Sequence, residues 1–388
     1  MNEKLLRVLV VDDSVVFRTL VRNLLDDCPD IEVVGVAANG RIAMDKIQIL
    51  KPDLVTLDVE MPVLDGLGVL TAIRQRQIDV GVIMLSALTN AGARLTTSAL
   101  KLGAFDFVLK PQGNDLEENI ATLRRQLVPK ITACGRRREK TALRRQSAGQ
   151  PSSPAQPVSR QTATETGEIR RPAQAAQGAA TSSTTTRVSP NTVLNVVAIG
   201  ISTGGPAALA EAFPKLSADF PVPLLVVQHM PPMFTASLAA DLDRSCSLNV
   251  CEAKDGQRIE AGTVYFAPGG RHMKAEQGDN QVVARITDDP RERSCRPSVD
   301  FLFRSVAEVW GKNALGVVMT GMGDDGKEGC AALRHHGARI VAQDEESCVI
   351  YGMPRAVVEA GLADTICCLD QIPGVLNRAV AKGRLVCS

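Results

Sequence analysis

Charge of either sign is scarcely in excess along these 388 residues: 44 Lys and Arg stand against 43 Asp and Glu, a net charge of +1. No global field therefore draws the chain to nucleic acid, an anionic membrane or an acidic substrate. Paired cysteines are missing too. The ten cysteines, at 28, 134, 246, 251, 295, 330, 348, 367, 368 and 387, form no C-x-x-C and no Cys/His ligand spacing, which argues against a zinc site. Long apolar runs are absent: Met1 to Lys4 is short and charged, and Leu5 to Val11 ends at two carboxylates, so neither a signal peptide nor a membrane span is expected. Free thiols in a reducing cytoplasm follow, with no membrane insertion. Histidine is scarce, with four in the chain, and that shortage later narrows the choice of a catalytic base.

What is present is enough apolar residue, 45%, to bury two cores, and a length suited to two domains and a connector. Over residues 1–127, strands are expected near Val8–Val11, Glu32–Ala37, Leu54–Leu57, Val80–Leu85 and Phe105–Leu109, each followed by a helical pattern. Five βα units imply a doubly wound parallel sheet. From 128 to 193 the composition turns to Arg, Ser, Thr, Gln, Ala and Pro, which reads as a flexible linker with a basic front end at Arg136, Arg137, Arg138, Arg144 and Arg145. Apolar runs resume at Val196–Ile201, Leu224–Gln228, Val264–Ala267, Leu315–Thr320 and Arg339–Ala342, interleaved with helical patterns such as Pro206–Leu216 and Lys327–His336. Residues 194–388 thus form a second, Rossmann-like α/β domain with a mainly parallel sheet.

In a doubly wound sheet, functional side chains collect at the carboxyl ends of the strands. Asp12 and Asp13 end the first strand, Asp58 the third, Ser86 the fourth and Lys110 the fifth. Clustered carboxylates repel unless a cation neutralises them, and an oxygen-only site suits Mg²⁺. A carboxylate placed there can attack a phosphoryl donor while lysine and metal stabilise the transferred charge. Singly, Asp13 or Ser14 would serve as a helix cap and Lys110 as a solvated charge; together, at matching strand ends, they describe a phosphoryl-acceptor site. Val-Leu-Val-Val-Asp-Asp-Ser (8–14), Leu-Asp-Val-Glu-Met-Pro-Val-Leu-Asp-Gly (57–66), Met-Leu-Ser-Ala (84–87) and Leu-Lys-Pro (109–111) resemble the response-regulator receiver domain. The resemblance implies phosphorylation at Asp58, an acidic pocket of Asp12 and Asp13, Mg²⁺ held by Asp13, Asp58 and the Glu60 carbonyl, and Ser86 and Lys110 reading the phosphoryl oxygens. Phe107 matches the family's aromatic switch position, or is a core phenylalanine.

In the second domain, Gly200-Ile201-Ser202-Thr203-Gly204 is a G-x-S-x-G string between an apolar strand and a helix. Small neighbours let the backbone turn sharply and a serine hydroxyl project beside N–H groups that face an oxyanion; a serine cap or a phosphate-cradling loop is the rival reading. Of the four histidines, His229 alone ends a strand-like run. His335 and His336 sit at a helix end before Gly337, and His272 follows a Gly-Gly turn. A third member should be a carboxylate orienting the imidazole, and by spacing Asp324 and Asp325 are equal candidates.

Ile-Ser-Thr-Gly-Gly-Pro (201–206), Gln-His-Met-Pro-Pro-Met-Phe (228–234), Ala-Pro-Gly-Gly-Arg-His-Met (267–273), Arg-Pro-Ser-Val-Asp (296–300), Thr-Gly-Met-Gly-Asp-Asp-Gly (320–326) and Tyr-Gly-Met-Pro-Arg (351–355) resemble the chemotaxis protein-glutamate methylesterase family, CheB. That resemblance assigns the triad to Ser202, His229 and Asp325, with Thr203 and the Met322 N–H as supports. It implies hydrolysis of glutamate methyl esters on methyl-accepting chemoreceptors, deamidation of receptor glutamines, no cofactor for the esterase step, and a chemotaxis histidine kinase as phosphoryl donor. Asp324 departs from the family, where asparagine is common, and is expected to raise a neighbouring carboxyl pKa or favour the imidazolium. A DNA-binding or non-catalytic interaction output is the alternative. Against the first stand the strand-rich α/β pattern of 194–388 and the placement of the densest basic run in the linker.

Overall fold

β-branched runs alternating with amphipathic stretches build the first unit as the sequence leads one to expect. The structure, a computed structural model, describes residues 5–113, 115–148, 193–279 and 281–382. Strands β1 (Leu6–Val11), β2 (Ile31–Ala37), β3 (Leu54–Asp58), β4 (Gly81–Ser86) and β5 (Asp106–Leu109) alternate with helices α1 (Val15–Asp26), α2 (Gly40–Leu50), α3 (Gly66–Gln75), α4 (Asn90–Lys101) and α5 (Leu116–Ala148). The sheet is parallel, in the order β2-β1-β3-β4-β5. Its strands are buried on both faces by helices, so they read as near-continuous apolar runs.

Helix α5 departs from expectation. The boundary placed at 127 falls inside it, and residues 128–148, expected to be flexible linker, are helical. Basic composition concealed the reason: Leu123, Leu127, Ile131 and Cys134 recur at helical spacing and are all buried against β-sheet residues such as Val8, Leu54 and Ile83. Arg138 returns to Asp79, with N–O 2.9 Å. The rest of the expected linker, 149–192, and the side chains of Arg144 and Arg145 lie outside the described residues.

The second unit contains β6 (Val196–Ile201), α6 (Gly205–Ala212), β7 (Leu224–Gln228), α7 (Phe234–Asp243), β8 (Asn249–Glu252), β9 (Gln257–Arg258), β10 (Thr263–Phe266), β11 (His272–Gln277), β12 (Val282–Thr287), α8 (Val299–Trp310), β13 (Ala314–Val318), α9 (Lys327–His335), β14 (Arg339–Gln343), α10 (Met353–Glu359), β15 (Thr365–Cys367) and α11 (Ile372–Lys382). Seven strands form one parallel sheet, β15-β14-β13-β6-β7-β10-β8, with β6 near its centre; β11, β12 and β9 make a small antiparallel sheet. Helix α6 is shorter than the expected Pro206–Leu216: it passes into a 3₁₀ turn at Phe213–Lys215, where Pro214 cannot continue the α-helical ladder.

The two units meet. Phe107 of β5 stacks on Phe234, the first residue of α7, with centroids 4.8 Å apart and planes 2° from parallel. Lys101 at the end of α4 pairs with Asp241 of α7 at 3.1 Å. Thr97 Oγ1 lies 3.3 Å from Ser237 Oγ. On the other side, Val349 and Ile350 pack against the core that α5 completes. Among the described residues no helix is long and apolar enough to cross a membrane.

The extension of α5 carries a testable consequence. Ile131→Ala should lower the stability of the first unit by about 2–5 kcal/mol, read as a fall in its denaturant midpoint. A change below about 0.5 kcal/mol, usual for a surface position, would mean that this segment behaves as linker.

Candidate active site and phosphoryl-acceptor site

At the carboxyl edge of the first sheet, β1 and β3 deliver Asp12 and Asp58 and the residue after β5 delivers Lys110. Lys110 Nζ lies 2.8 Å from both Asp12 Oδ2 and Asp58 Oδ2. Both carboxylates are buried, whereas Asp13 is exposed. Burial lifts the Asp58 carboxyl to about 6 against the opposing pull of Lys110. Asp12 moves up for the same reason. Burial alone would depress Lys110, but its two carboxylate partners raise it. One ammonium is thus shared between crowded anions.

Oxygens of Asp12, Asp13 and Asp58 all lie within 4.8 Å of one another, a hard donor set that fits Mg²⁺. Ser86 is buried on the same edge, its Oγ accepting from Thr96 Oγ1 at 2.9 Å. Glu60 lies two residues past Asp58 with an exposed side chain. Ser14 caps α1 by accepting from the Phe17 N–H, so the capping role belongs to the serine and leaves Asp13 free to face the pocket.

In the second sheet, Ser202 follows β6, His229 follows β7 and Asp325 lies in the loop after β13. These strands are neighbours: β6 is hydrogen-bonded to both β7 and β13, so three residues distant in sequence share one edge. The turn at Ser202 depends on glycine. Gly204 has φ +79°, and a Cβ there would lie 2.4 Å from Val349; a Cβ on Gly205 would lie 1.9 Å from Gln228 Oε1. Ser202 N–H donates to the Thr320 carbonyl at 3.0 Å, and Gln228 Nε2 donates to the Ser202 carbonyl at 2.9 Å. The nucleophile candidate is fixed by its own backbone.

His229 Nε2 meets Asp325 Oδ2 at 2.7 Å. Asp325 is buried, and its carboxylate also accepts from Ser298 Oγ at 3.0 Å, Val299 N–H at 2.8 Å and Asp300 N–H at 3.0 Å. Burial would raise this carboxyl, but the hydrogen bonds from His229 and from the first N–H groups of α8 hold it well below the usual range. It is therefore an acceptor only, so His229 Nε2 carries a proton, and in the neutral ring the lone pair lies at Nδ1. Burial would likewise depress the imidazole, yet its hydrogen bonds with Asp325 and Cys295 outweigh that and raise it well above the ordinary histidine value.

Among the described residues no hydrogen bond joins Ser202 Oγ to His229; the neighbour of Nδ1 is Cys295 Sγ, at 3.8 Å. Thr203 is buried with its carbonyl accepting from Thr320 Oγ1 at 2.9 Å, and Met322 is half-buried at the start of the Asp325 loop.

One of the two effects expected of Asp324 is missing. Its carboxylate turns outward to Arg293, 2.5 Å from Nη1, and the rise expected at its neighbour is not found, since Asp325 is lowered. Arg293 also reaches Asp300 at 3.1 Å. Asp300 in turn accepts from the N–H groups of Gly326 and Gly329 and staples the Asp325 loop to α8. Burial lifts the Asp300 carboxyl to about 6.

Sequence reasoning did not single out Ser298, Asp300, Arg293 or Cys295. Ser298 carried a signal nonetheless, as a serine before an amphipathic run, and it caps α8 by accepting from the Phe301 N–H at 3.3 Å. His272 is buried, bonded through Nε2 to the Pro290 carbonyl at 3.0 Å, and belongs to the core beside Phe301.

Both halves of the chain match known families. Residues 8–121 match the response regulator receiver domain, and residues 197–376 match the CheB methylesterase. A protein-glutamate methylesterase/protein-glutamine glutaminase of Desulfotalea psychrophila is 46% identical over 95% of this chain and 97% of its own length. One from Trichodesmium erythraeum is 42% identical over 96% and 99%. Among solved structures, the Thermotoga maritima CheB methylesterase catalytic domain is 40% identical, covering 48% of this chain and 99% of that one, with a TM-score of 0.48. With both partners of the tandem arrangement matched and relatives aligned nearly end to end, the chain belongs to the protein-glutamate methylesterase/protein-glutamine glutaminase family, in which a receiver domain precedes a CheB methylesterase domain.

Proposed function

We propose that this chain hydrolyses methyl-esterified glutamate side chains, and deamidates glutamines, on cytoplasmic segments of methyl-accepting chemoreceptors, under control of phosphorylation at Asp58. The single observation that carries the chemistry is the His229–Asp325 hydrogen bond of 2.7 Å, beside the glycine-enforced turn at Ser202. Ser202 attacks the ester carbonyl. His229 takes the serine proton at Nδ1, then returns it to the departing methanol, or to ammonia in the deamidation. Water attacks the acyl-enzyme with the same imidazole as base. Asp325 fixes the tautomer and stabilises the imidazolium. Thr203 and the Met322 N–H are assigned as supports of the histidine and the oxyanion. The esterase step needs no cofactor.

Asp58 accepts the phosphoryl group from a chemotaxis histidine kinase. Mg²⁺ held by Asp13, Asp58 and the Glu60 carbonyl, next to Asp12, would neutralise charge on the transferred group. Ser86 and Lys110 then read the phosphoryl oxygens. The receiver, residues 1–127 extended by α5, rests on α7, which begins five residues after His229. Phe107 against Phe234 joins the two. Repacking at Phe107 on phosphorylation would release α7 and open the cleft, a shift between two populations. The protein works in the cytoplasm without nucleic acid or membrane insertion.

Three outcomes follow. Ser202→Ala should abolish methanol release from methylated receptor; retained release would remove Ser202 from the chemistry. A fragment starting at Val193 should outpace the unphosphorylated full chain, and equal rates would remove receiver inhibition. Because His229 is raised, the free base accumulates only as pH rises, so kcat/KM should climb with pH above neutrality. In Asp325→Asn the anion that raises the imidazole is gone while its burial remains. The inflection should then move down by more than one pH unit, and kcat should fall by about 10⁴; an inflection that stays put would mean that Asp325 does not set the base.

A further inference from the structure

Cysteine and histidine spacing along the chain gives no metal site, but folding creates one that spacing cannot show. The loop between β12 and α8 carries Cys295 to His229, its Sγ 3.8 Å from Nδ1. Ligand atoms of His229, Cys295 and Asp325 all lie within 4.8 Å of one another. We propose that Cys295 Sγ and His229 Nδ1 form an inhibitory site for a thiophilic divalent cation, Zn²⁺ above all, which competes with the catalytic use of the imidazole.

Three features favour it. The separation is already right: with Zn–N of about 2.0–2.1 Å and Zn–S of about 2.3 Å, a tetrahedral ion holds the two donors about 3.6 Å apart. The tautomer suits it as well, because Asp325 occupies Nε2–H and the neutral ring then has its lone pair at Nδ1, the nitrogen beside Cys295. A carboxylate behind a metal-ligating imidazole is the usual supporting arrangement of zinc sites, since it fixes the ring and raises its basicity. Asp325 is itself fixed by three donors from Ser298, Val299 and Asp300. The support is therefore rigid before any ion arrives. Finally, sulfur and imidazole select for zinc over the Mg²⁺ that suits the all-oxygen receiver pocket.

On binding, the Cys295 thiol loses its proton to solvent as the Zn–S bond forms, and the imidazolium, raised as it is, loses its Nδ1 proton to solvent as the Zn–N bond forms, so the ion takes the place of two protons. Two protein ligands leave the remaining coordination positions to water. Nδ1 can then no longer take the serine proton, so hydrolysis stops while the fold is unchanged. The inhibitory effect rests on the proposed role of His229 as base; the binding site does not.

The test uses the full chain freed of metal by chelation, then supplied with excess Mg²⁺ to fill the carboxylate pocket. Stoichiometric Zn²⁺ should cut methanol release from methylated receptor at least tenfold, and Co²⁺ in its place should give a near-ultraviolet thiolate-to-cobalt absorption band. Cys295→Ser should lose the band and raise the inhibitory Zn²⁺ concentration at least tenfold relative to its own metal-free rate. Cys28→Ser, altered in the receiver, should behave as wild type. Ser202→Ala should be inactive yet keep the band. No band in the wild type, or one that survives in Cys295→Ser, would overturn the site while leaving the triad intact if Ser202→Ala is inactive. A band without inhibition would overturn the inhibitory role and trace the fault to the assignment of His229.

Discussion

A carboxylate taken out of water costs several kcal/mol unless its lone pairs are filled, and Asp325 is such a group, buried among four donors. Three come from Ser298, Val299 and Asp300 at the start of α8, and the fourth is His229. Much of the surrounding structure exists to keep those donors in place. Ser298 caps α8, Asp300 ties the Gly326–Gly329 backbone to the same helix end, and Arg293 closes the outer side by bridging Asp300 and Asp324. The neutral imidazole is thereby held in one tautomer, with Nδ1 on the side of Cys295. On the proposed mechanism, the Ser202 hydroxyl becomes a usable nucleophile because that arrangement is set before substrate arrives.

The receiver sits close to this machinery through two contacts of different kind. Phe107 lies flat on Phe234, where α7 starts, and α4 adds the Lys101–Asp241 pair farther along the same helix. On the opposite side, Val349 and Ile350 lean on the core completed by α5. The Ile350 carbonyl accepts from Gly321 N–H, while Ser202 N–H is tied to the neighbouring Thr320 carbonyl. Each contact leads within a few residues to the Ser202 or His229 turn, so a change in receiver packing has short mechanical routes to the site.

Much of this was legible beforehand, and unevenly. Strand ends at Asp12, Asp58, Ser86 and Lys110 could be read because parallel strands buried on both faces announce themselves as apolar runs, and the residue that stops the run lies at the carboxyl edge of the sheet. The same logic found Ser202 and His229. It missed β11 and β12, whose Lys, Glu, Arg and Gln break the apolar run, and it read 128–148 as linker because the buried Ile131 and Cys134 are outnumbered there by arginines. Spacing did not separate Asp324 from Asp325; only the family resemblance did. The fold shows the physical difference, one carboxylate facing α8 and the other facing Arg293. Cys295 had no local signal at all, since nothing in a chain with scattered cysteines marks the one that the β12–α8 loop carries to the imidazole.

The central claim is that phosphorylation of one domain controls acyl chemistry in the other, and the most direct measurement is the rate of methanol release from methylated chemoreceptor by the full chain, with and without a small-molecule phosphoryl donor and Mg²⁺, in wild type and in Asp58→Asn. The account requires the donor to accelerate the wild type several-fold and to leave Asp58→Asn at its basal rate. Equal acceleration of both, or of neither, would contradict it.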